Sequence, residues 1–324
     1  MMQFVKGASI LGFQNMFKQS EGQSELHEKF AAHMEAEGLS YGTREEYEFR
    51  LQIFKAKDDY ITYWNNAQDD YRLGHGMFST MTEKEAERYM GFTPVEDNTT
   101  EVIEFEGDES MLRAVDWRAQ GAVNAVKNQG GCGSCWAFGA TAGTETAHWK
   151  ATGKLLNLSE QQLVSCDPKS HGCNGGWHMW AWDYLKSTPQ VLQSKYPYKA
   201  QTGTCSSTMS SGGVVTAKGY SRASTSVASH KNLLNNGVLG IALAAGSSAF
   251  QLYKSGVLSG TSCGTSINHA VAMVGWGTSG GQDYWIVRNS WGSGWGDGGH
   301  IKIAAQDGSG VCASQNYSYL VTTN

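Results

Sequence analysis

Along the first third of the chain, apolar residues are sparse and recur at helical intervals. Glu46, Arg50, Phe54, Ile61 and Asn65 stand four residues apart or close to multiples of four, which sets them along one face of a helix. Residues 25–90 as a whole are charged and helix-rich in character. Glu96–Ser110 breaks the pattern: it is polar, acidic and without hydrophobic period, as an exposed tether would be. From Met111 the apolar positions become denser. Cys135–Lys150 has few breakers and carries Trp136, Phe138, Ala142 and Trp149 at roughly helical spacing, predicting a helix over 134–150. Ser159 with Gln162 three residues on is a capping pattern for a second helix through Val164, and Trp177–Leu185 reads as a third. The apolar runs Gly237–Leu243, Ala270–Trp276, Tyr284–Arg288 and His300–Ala304 then predict strands. Helices come first and strands second, an α+β order.

Composition narrows this picture. The 324 residues leave room for more than one domain and for a sizeable core. A net charge of −5 gives no electrostatic case for nucleic acid or for an anionic membrane, and the run Val271–Trp276 is far too short for a membrane span. Forty glycines against four prolines point to many tight loops. All seven cysteines lie at or after Cys132; six can pair and one is left over, and spacing alone does not say which. Paired cysteines imply an oxidising route such as secretion or an acidic vacuole. Met1–Phe17, however, lacks an apolar core of signal-peptide length, so residues 1–25 are set apart as an N-terminal segment, a poor or truncated signal.

The densest chemistry lies at Gln129-Gly-Gly-Cys132-Gly-Ser-Cys135-Trp136-Ala-Phe138. A glycine turn opening a helix puts Cys135 in the first helical turn, where unpaired N–H groups and the macrodipole favour a thiolate. Cys132-Gly-Ser-Cys135 also spells a redox CxxC or half a zinc site. No second CxxC exists and the Trp-Ala-Phe continuation suits neither, so no metal and no cofactor are expected. Asn268-His269-Ala270 opens one strand-like run and Arg288-Asn289-Ser290-Trp291-Gly292 follows another. His148, His171, His178, His230 and His300 have no comparable context and read as surface or packing residues.

These strings resemble the papain family of cysteine proteases, and the cathepsin L type within it, from about residue 26 to 324. His269 lies 134 residues after Cys135 and Asn289 lies 154 after it, close to the family's spacing. The resemblance implies a papain-like two-domain fold, with a helical domain and an antiparallel β-barrel-like domain flanking a cleft, preceded by a helical inhibitory prodomain. It divides the chain into a prodomain over 26–92, an acidic linker holding the activation cleavage over 93–110, and a peptidase domain over 111–324. It pairs Cys132 with Cys173, Cys166 with Cys205 and Cys263 with Cys312, and leaves Cys135 as the free nucleophile.

By the same resemblance His269 is its acid–base partner, Asn289 orients the imidazole, Trp291 screens that contact from water, and Gln129 donates to the oxyanion. Losing one such donor commonly costs about 10²–10³ in rate. For papain itself the thiol of this pair has a pKa of roughly 3–4. Gly175 and Gly176 would offer backbone to an antiparallel peptide. Trp177, Ala242, Ile267 and Ala270 would wall an S2 pocket for an apolar or aromatic P2 side chain, with Tyr317 near its floor able to shorten that preference toward Val or Leu.

The prodomain resembles the inhibitory type at Glu46, Arg50, Phe54, Ile61 and Asn65, with Lys57 standing where the family has Asn. Gly74-His-Gly-Met-Phe78-Ser-Thr80 departs from the family's G-x-N-x-F-x-D: Gly76 replaces Asn and Thr80 replaces Asp, which removes a carboxylate otherwise available for acid-triggered release. The implied protein is a cysteine endopeptidase made as a zymogen, activated in acid, acting as a monomer on proteins and peptides in a lysosome, an acidic vacuole or outside the cell. Its own prodomain would be an intramolecular inhibitor, with no nucleic-acid partner. Two alternatives remain at this point: a papain-like exopeptidase, and a catalytically inactive binding homologue.

Overall fold

A computed structural model describes the backbone of residues 10–324 and the side chains of residues 24–324. Of the expected signal-like segment, 1–25, residues 1–9 lie outside the described residues, and from Ile10 its backbone is helical. The front of the chain is two long helices, α1 (Ile10–Glu37) and α2 (Arg44–Ala67), followed by the short α3 (Glu83–Ala86). Thr43 caps α2 by accepting from the Glu46 N–H. A small core of Phe30, Leu51 and Phe54 locks the helix pair together.

The positions sharing one face of α2 separate into distinct jobs. Arg50 donates to Glu46 (2.6 Å), to both carboxylate oxygens of Glu85 (2.5 and 2.7 Å) and to the Thr80 carbonyl (2.8 Å). That bidentate pair holds the Glu85 carboxyl down at about 2. Ile61 leaves the prodomain core for the main hydrophobic cluster. Asn65 exchanges two 2.9 Å hydrogen bonds with the backbone of Leu73 and so pins a strand, β1 (Tyr71–Leu73). Lys57, the replacement for asparagine, reaches across to Ser248 at 2.7 Å.

Beyond residue 111 lie α4 (Cys135–Thr152), α5 (Glu160–Cys166), α6 (His178–Ser187), α7 (Ser207–Ser210), α8 (Val227–Leu234) and α9 (Ser248–Gln251). The remaining strands are β2 (Val102–Ile103), β3 (Val115–Asp116), β4 (Ala217–Ala223), β5 (Leu239–Leu243), β6 (Tyr253–Leu258), β7 (His269–Ser279), β8 (Gln282–Arg288), β9 (His300–Ala304) and β10 (Tyr317–Thr323). They run in the order β1-β6-β9-β8-β7-β5-β10-β4-β2, with β3 on β7. Pairing is antiparallel except at β6–β9 and β2–β4. The α+β order read from the sequence is the observed one. Residues 135–146 of α4 are all buried, and Lys127 crosses to Glu145 (3.3 Å) and Glu160 (2.6 Å), tying α4 to α5 in the interior.

Long-range pairing adds to one expectation and corrects another. Residues 25–90 are helix-rich as expected, and β1 within them extends the sheet by pairing with β6 (Tyr71 opposite Gly256). The segment 96–110 is not a simple exposed tether: Val102 and Ile103 pair in parallel with Arg222 and Ala223, and Phe105 donates its N–H to Ser229. The N-terminal region therefore supplies both edge strands of the sheet, satisfying backbone groups that would otherwise face water. Strands β4, β6 and β10 also lie outside the predicted set.

Candidate active site

Cys135 opens α4 at a junction with β7. The preceding Ser134 does not cap the helix; its hydroxyl meets Tyr198 instead at 2.6 Å. The first-turn N–H groups therefore stay available for an anion. The Ala270 N–H points at the Cys135 sulfur at 3.4 Å, and His269 is the preceding residue of β7. His269 Nε2 meets Asn289 Oδ1 at 2.8 Å, and that oxygen also accepts from the Ser290 N–H. His269 Nδ1 has no hydrogen-bond partner among the described residues and is the nitrogen free for proton transfer. Trp291 stacks on the imidazole at 4.6 Å between ring centroids, covering the contact with Asn289.

Gln129 is fully buried. Its Oε1 accepts from Ser290 (2.6 Å) and its Nε2 donates to the carbonyls of Cys132 (2.8 Å) and Tyr89 (2.9 Å). The second of those carbonyls belongs to the N-terminal region. Residues 89–93 run across the cleft: Gly91 and Phe92 donate to the Asn268 carbonyl, Gly176 donates to the Gly91 carbonyl at 2.9 Å, and Thr93 donates to the Gly176 carbonyl at 3.4 Å. The bridge between Phe92 and Gly176 is parallel, opposite to the antiparallel sense expected of a bound peptide. The crossing is tight. A Cβ built on Gly91 would lie 2.0 Å from the Gly133 carbonyl oxygen, and one on Gly133 would lie 2.6 Å from the Met90 carbonyl.

This cover opposes ionisation of the pair. With water excluded, burial pushes the Cys135 thiol up to about 12, outweighing the N–H groups of Ala270, Trp136, Gly91 and Cys135 that favour the thiolate. Burial likewise lowers His269 to about 4 against the contact with Asn289. Burial thus favours thiol and neutral imidazole in this covered state; the ion pair expected from the sequence is an expectation for the uncovered protease.

Trp177, Ala242 and Ala270 gather in one cluster with Ile267 and Tyr317 packed against it, and Phe92 is buried among them. Phe92 packs against Trp177 (6.1 Å), His178 (5.8 Å) and Tyr317 (5.6 Å). Tyr317 stands beside the phenyl ring, tilted against it. Gly175 and Gly176 lie buried next to this pocket. The three disulfides are Cys132–Cys173, Cys166–Cys205 and Cys263–Cys312, and Cys135 is the free cysteine.

Comparison with known proteins accounts for this arrangement. Residues 111–322 match the family described as "Papain family cysteine protease", and residues 30–86 match "Cathepsin propeptide inhibitor domain". The chain belongs to the papain family of cysteine proteases. It is 39% identical to caricain of Carica papaya over 285 residues, covering 85% of this chain and 81% of that protein. Fruit bromelain of Ananas comosus is 38% identical over 302 residues, covering 90% and 85%. In three dimensions the protease superposes on recombinant stem bromelain precursor with a TM-score of 0.84 at 36% identity, covering 92% of this chain and 99% of that one. The papain-like fold with its propeptide is therefore shared, and the N-terminal region is an inhibitor domain carried in the same chain.

Of the residues that matter here, Tyr89, Gly91, Phe92 and His178 carried no sequence signal. The first three act through backbone direction or through contact with a distant pocket. His178 was read only as surface or packing; it is fully buried, and its place directly after Trp177 was the one available clue.

Proposed function

We propose that this protease is an endopeptidase stored as a zymogen, in which Cys135 is the nucleophile, His269 the acid–base group, Asn289 the residue that orients it, and Gln129 an oxyanion donor. The observation that carries the reading is the Asn289–His269 hydrogen bond, with the Cys135 sulfur held by the N–H of the adjoining Ala270, beside a Gln129 amide whose N–H already holds a carbonyl, that of Tyr89. Once residues 89–93 leave, water and the N–H groups of the α4 terminus favour thiolate, and the proton moves from sulfur to His269 Nδ1. The thiolate attacks a peptide carbonyl and forms a C–S bond. The oxyanion is held by Gln129 Nε2 and the Cys135 N–H. Collapse breaks the C–N bond as His269 protonates the leaving amine, and water deprotonated by the same imidazole hydrolyses the thioester.

The boundaries adopted are a prodomain over 26–92, a linker over 93–110 and a peptidase over 111–324. Met111 is 70% exposed, which suits cleavage beside it. Phe92 in the pocket supports an apolar or aromatic P2 residue. Disulfides and latency fit an acidic vacuole, a lysosome or the extracellular space, with the protease a monomer; among the described residues no helix is long and apolar enough to cross a membrane. No loop is inserted between Cys173 and Cys205 to close the cleft. Mass analysis of digests of a long peptide should therefore reveal internal cuts; stepwise loss of single terminal residues would overturn the endopeptidase reading.

Acid activation requires proton uptake on release, and the catalytic pair does not supply it: moving a proton from sulfur to imidazole changes no net charge. Glu85, held at about 2, would take up a proton on release only as pH falls below its free value of 4.5, so it contributes little near pH 5. The prodomain histidines are better placed. His33 faces His75 at 5.7 Å between ring centroids, while His75 lies flat on Phe54 at 4.0 Å and bonds to Asp58 and Ser79. Lys254 from β6 bears on both histidines, and Lys29 of α1 bears on His75.

Burial lowers His33 to about 4, with His75 and Lys254 adding to it. A base whose docked pKa is depressed is neutral when docked and takes up a proton when freed. Docking thus weakens as pH falls from about 6.5 toward 4, by up to about 1.4 kcal/mol per pH unit. His33→Phe should reduce the slope of log activation rate against pH by about one proton and shift the midpoint to lower pH. An unchanged slope would remove His33 from the trigger.

A further inference from the structure

His178 is the residue in the pocket region that neither packing nor catalysis explains. It opens α6 directly after Trp177, is fully buried, and neither ring nitrogen has a hydrogen-bond partner among the described residues. Leaving a buried polar group unpaired is costly, and an apolar side chain of similar shape would fill the space without that cost. One face of its ring is covered by Phe92, nearly parallel to it at 5.8 Å; Trp182 and Tyr319 pack edge-on at 5.2 and 5.4 Å. Gly240 of β5 closes the remaining side. Tyr319 is the titratable group facing it, and the Tyr319 hydroxyl donates to Asp97 of the linker. Phe92 and Asp97 both belong to the segment that must leave the cleft, so activation uncovers the imidazole toward the space the phenyl ring held.

Resting on the endopeptidase reading above, we propose that His178 is a specificity-determining residue of the S2 pocket, which lets a P2 glutamate bind where the other walls suit only apolar or aromatic side chains. A substrate side chain entering in place of Phe92 lies over the imidazole face, and a carboxylate at its end accepts the orphaned N–H in a charge-assisted hydrogen bond once the ring turns toward it. Under Phe92 burial lowers His178 to about 3. Opened to water it returns toward the ordinary histidine range, and at the acidic pH of a vacuole it carries the positive charge that a P2 carboxylate complements. Glutamine, of the same shape, gains only a neutral hydrogen bond. The preference is therefore one of charge and not of size.

The test uses the self-matured protease and internally quenched decapeptides that differ only at P2: Leu, Phe, Gln and Glu. At pH 5.5 the wild type should cleave the Glu peptide at least fivefold better, relative to Gln, than His178→Phe does. Should His178→Phe not fold, the wild type alone decides the matter. A P2 glutamate stays ionised between pH 5.5 and 7.0, so a Glu/Gln ratio that falls several-fold over that interval reports the loss of the imidazolium. A ratio flat with pH and equal in wild type and variant, with the Leu and Phe peptides cleaved normally, would overturn the role of His178 alone. Failure to cleave any of the four peptides would instead overturn the endopeptidase reading, and the subsite assignment with it.

Discussion

Full-length Cys135→Ala, held at pH 5, should keep its starting mass indefinitely, while the wild type converts to a product beginning near residue 111. Peptide hydrolysis should fall by about 10⁶-fold, the scale reached when a protease of the serine type loses its nucleophile. The argument rests on the one free cysteine lying at an uncapped helix start, beside a histidine whose second nitrogen is already oriented by Asn289. No other cysteine is available to substitute, because the remaining six are paired. The same sulfur should also change character on activation. In the covered state its pKa of about 12 leaves essentially no thiolate at pH 5, so an alkylating probe should label Cys135 slowly. In the matured protein labelling should be rapid and selective at that pH. If Cys135→Ala matures as the wild type does, another protease performs the cut; if the trimmed protein labels no faster than an ordinary thiol, the catalytic assignment fails.

Gly91→Ala should abolish latency. The segment that crosses the cleft passes so close to Gly133 that a methyl group at residue 91 would sit 2.0 Å from a backbone oxygen. A flexible side chain can step aside from such a contact, but the Gly133 carbonyl cannot. Gly133 is itself held by its N–H bond to the Cys173 carbonyl and by the adjoining Cys132–Cys173 disulfide. Overpacking of this kind costs about 1–3 kcal/mol, and a backbone clash belongs at the upper end. About 3 kcal/mol corresponds to roughly 100-fold in the docking equilibrium. The variant should mature about 100-fold faster at pH 6, where the wild type is still largely covered, and its mature form should have unaltered activity because residue 91 is discarded. Equal conversion rates at pH 6 would show that residues 89–93 contribute little to inhibition.

The reversed run of those residues gives latency a physical basis. A substrate paired antiparallel with Gly176 presents its carbonyl carbon to the thiolate in one sense. The parallel segment presents Tyr89 and Gly91 with the opposite chain direction, so the backbone donors are occupied without a productive attack geometry. The helical part makes this possible by docking elsewhere. β1 joins β6, Phe78 packs edge-on against Trp291 at 4.7 Å, and Lys57 reaches Ser248. Gly76, at the place of the family's asparagine, leaves room for Lys254, whose ammonium lies 3.4 Å from where a Cβ would be. Two departures from the family's pattern, Lys57 and Gly76, therefore fall where the prodomain meets the peptidase, while Thr80 is held within the N-terminal region by Arg50.

What the sequence determined by itself was whatever local pattern encodes. Helical spacing placed Cys135 at the start of α4, the Ser159 cap placed α5, and apolar runs placed β5, β7, β8 and β9 within a few residues. The motifs around Gln129, Cys135, His269 and Asn289 were legible because each combines residue type with an element boundary. What only the tertiary structure decided was anything that depends on a partner far along the chain. Val102–Ile103 and Tyr71–Leu73 are too short to show a period of their own, and they are strands only because β4 and β6 leave edges to pair. The neutral state of the Cys135–His269 pair follows from a cover drawn from residues 89–93, and the meaning of His178 from the phenyl ring laid against it. Backbone direction, water exclusion and close approach are relations between segments, and no single segment carries them.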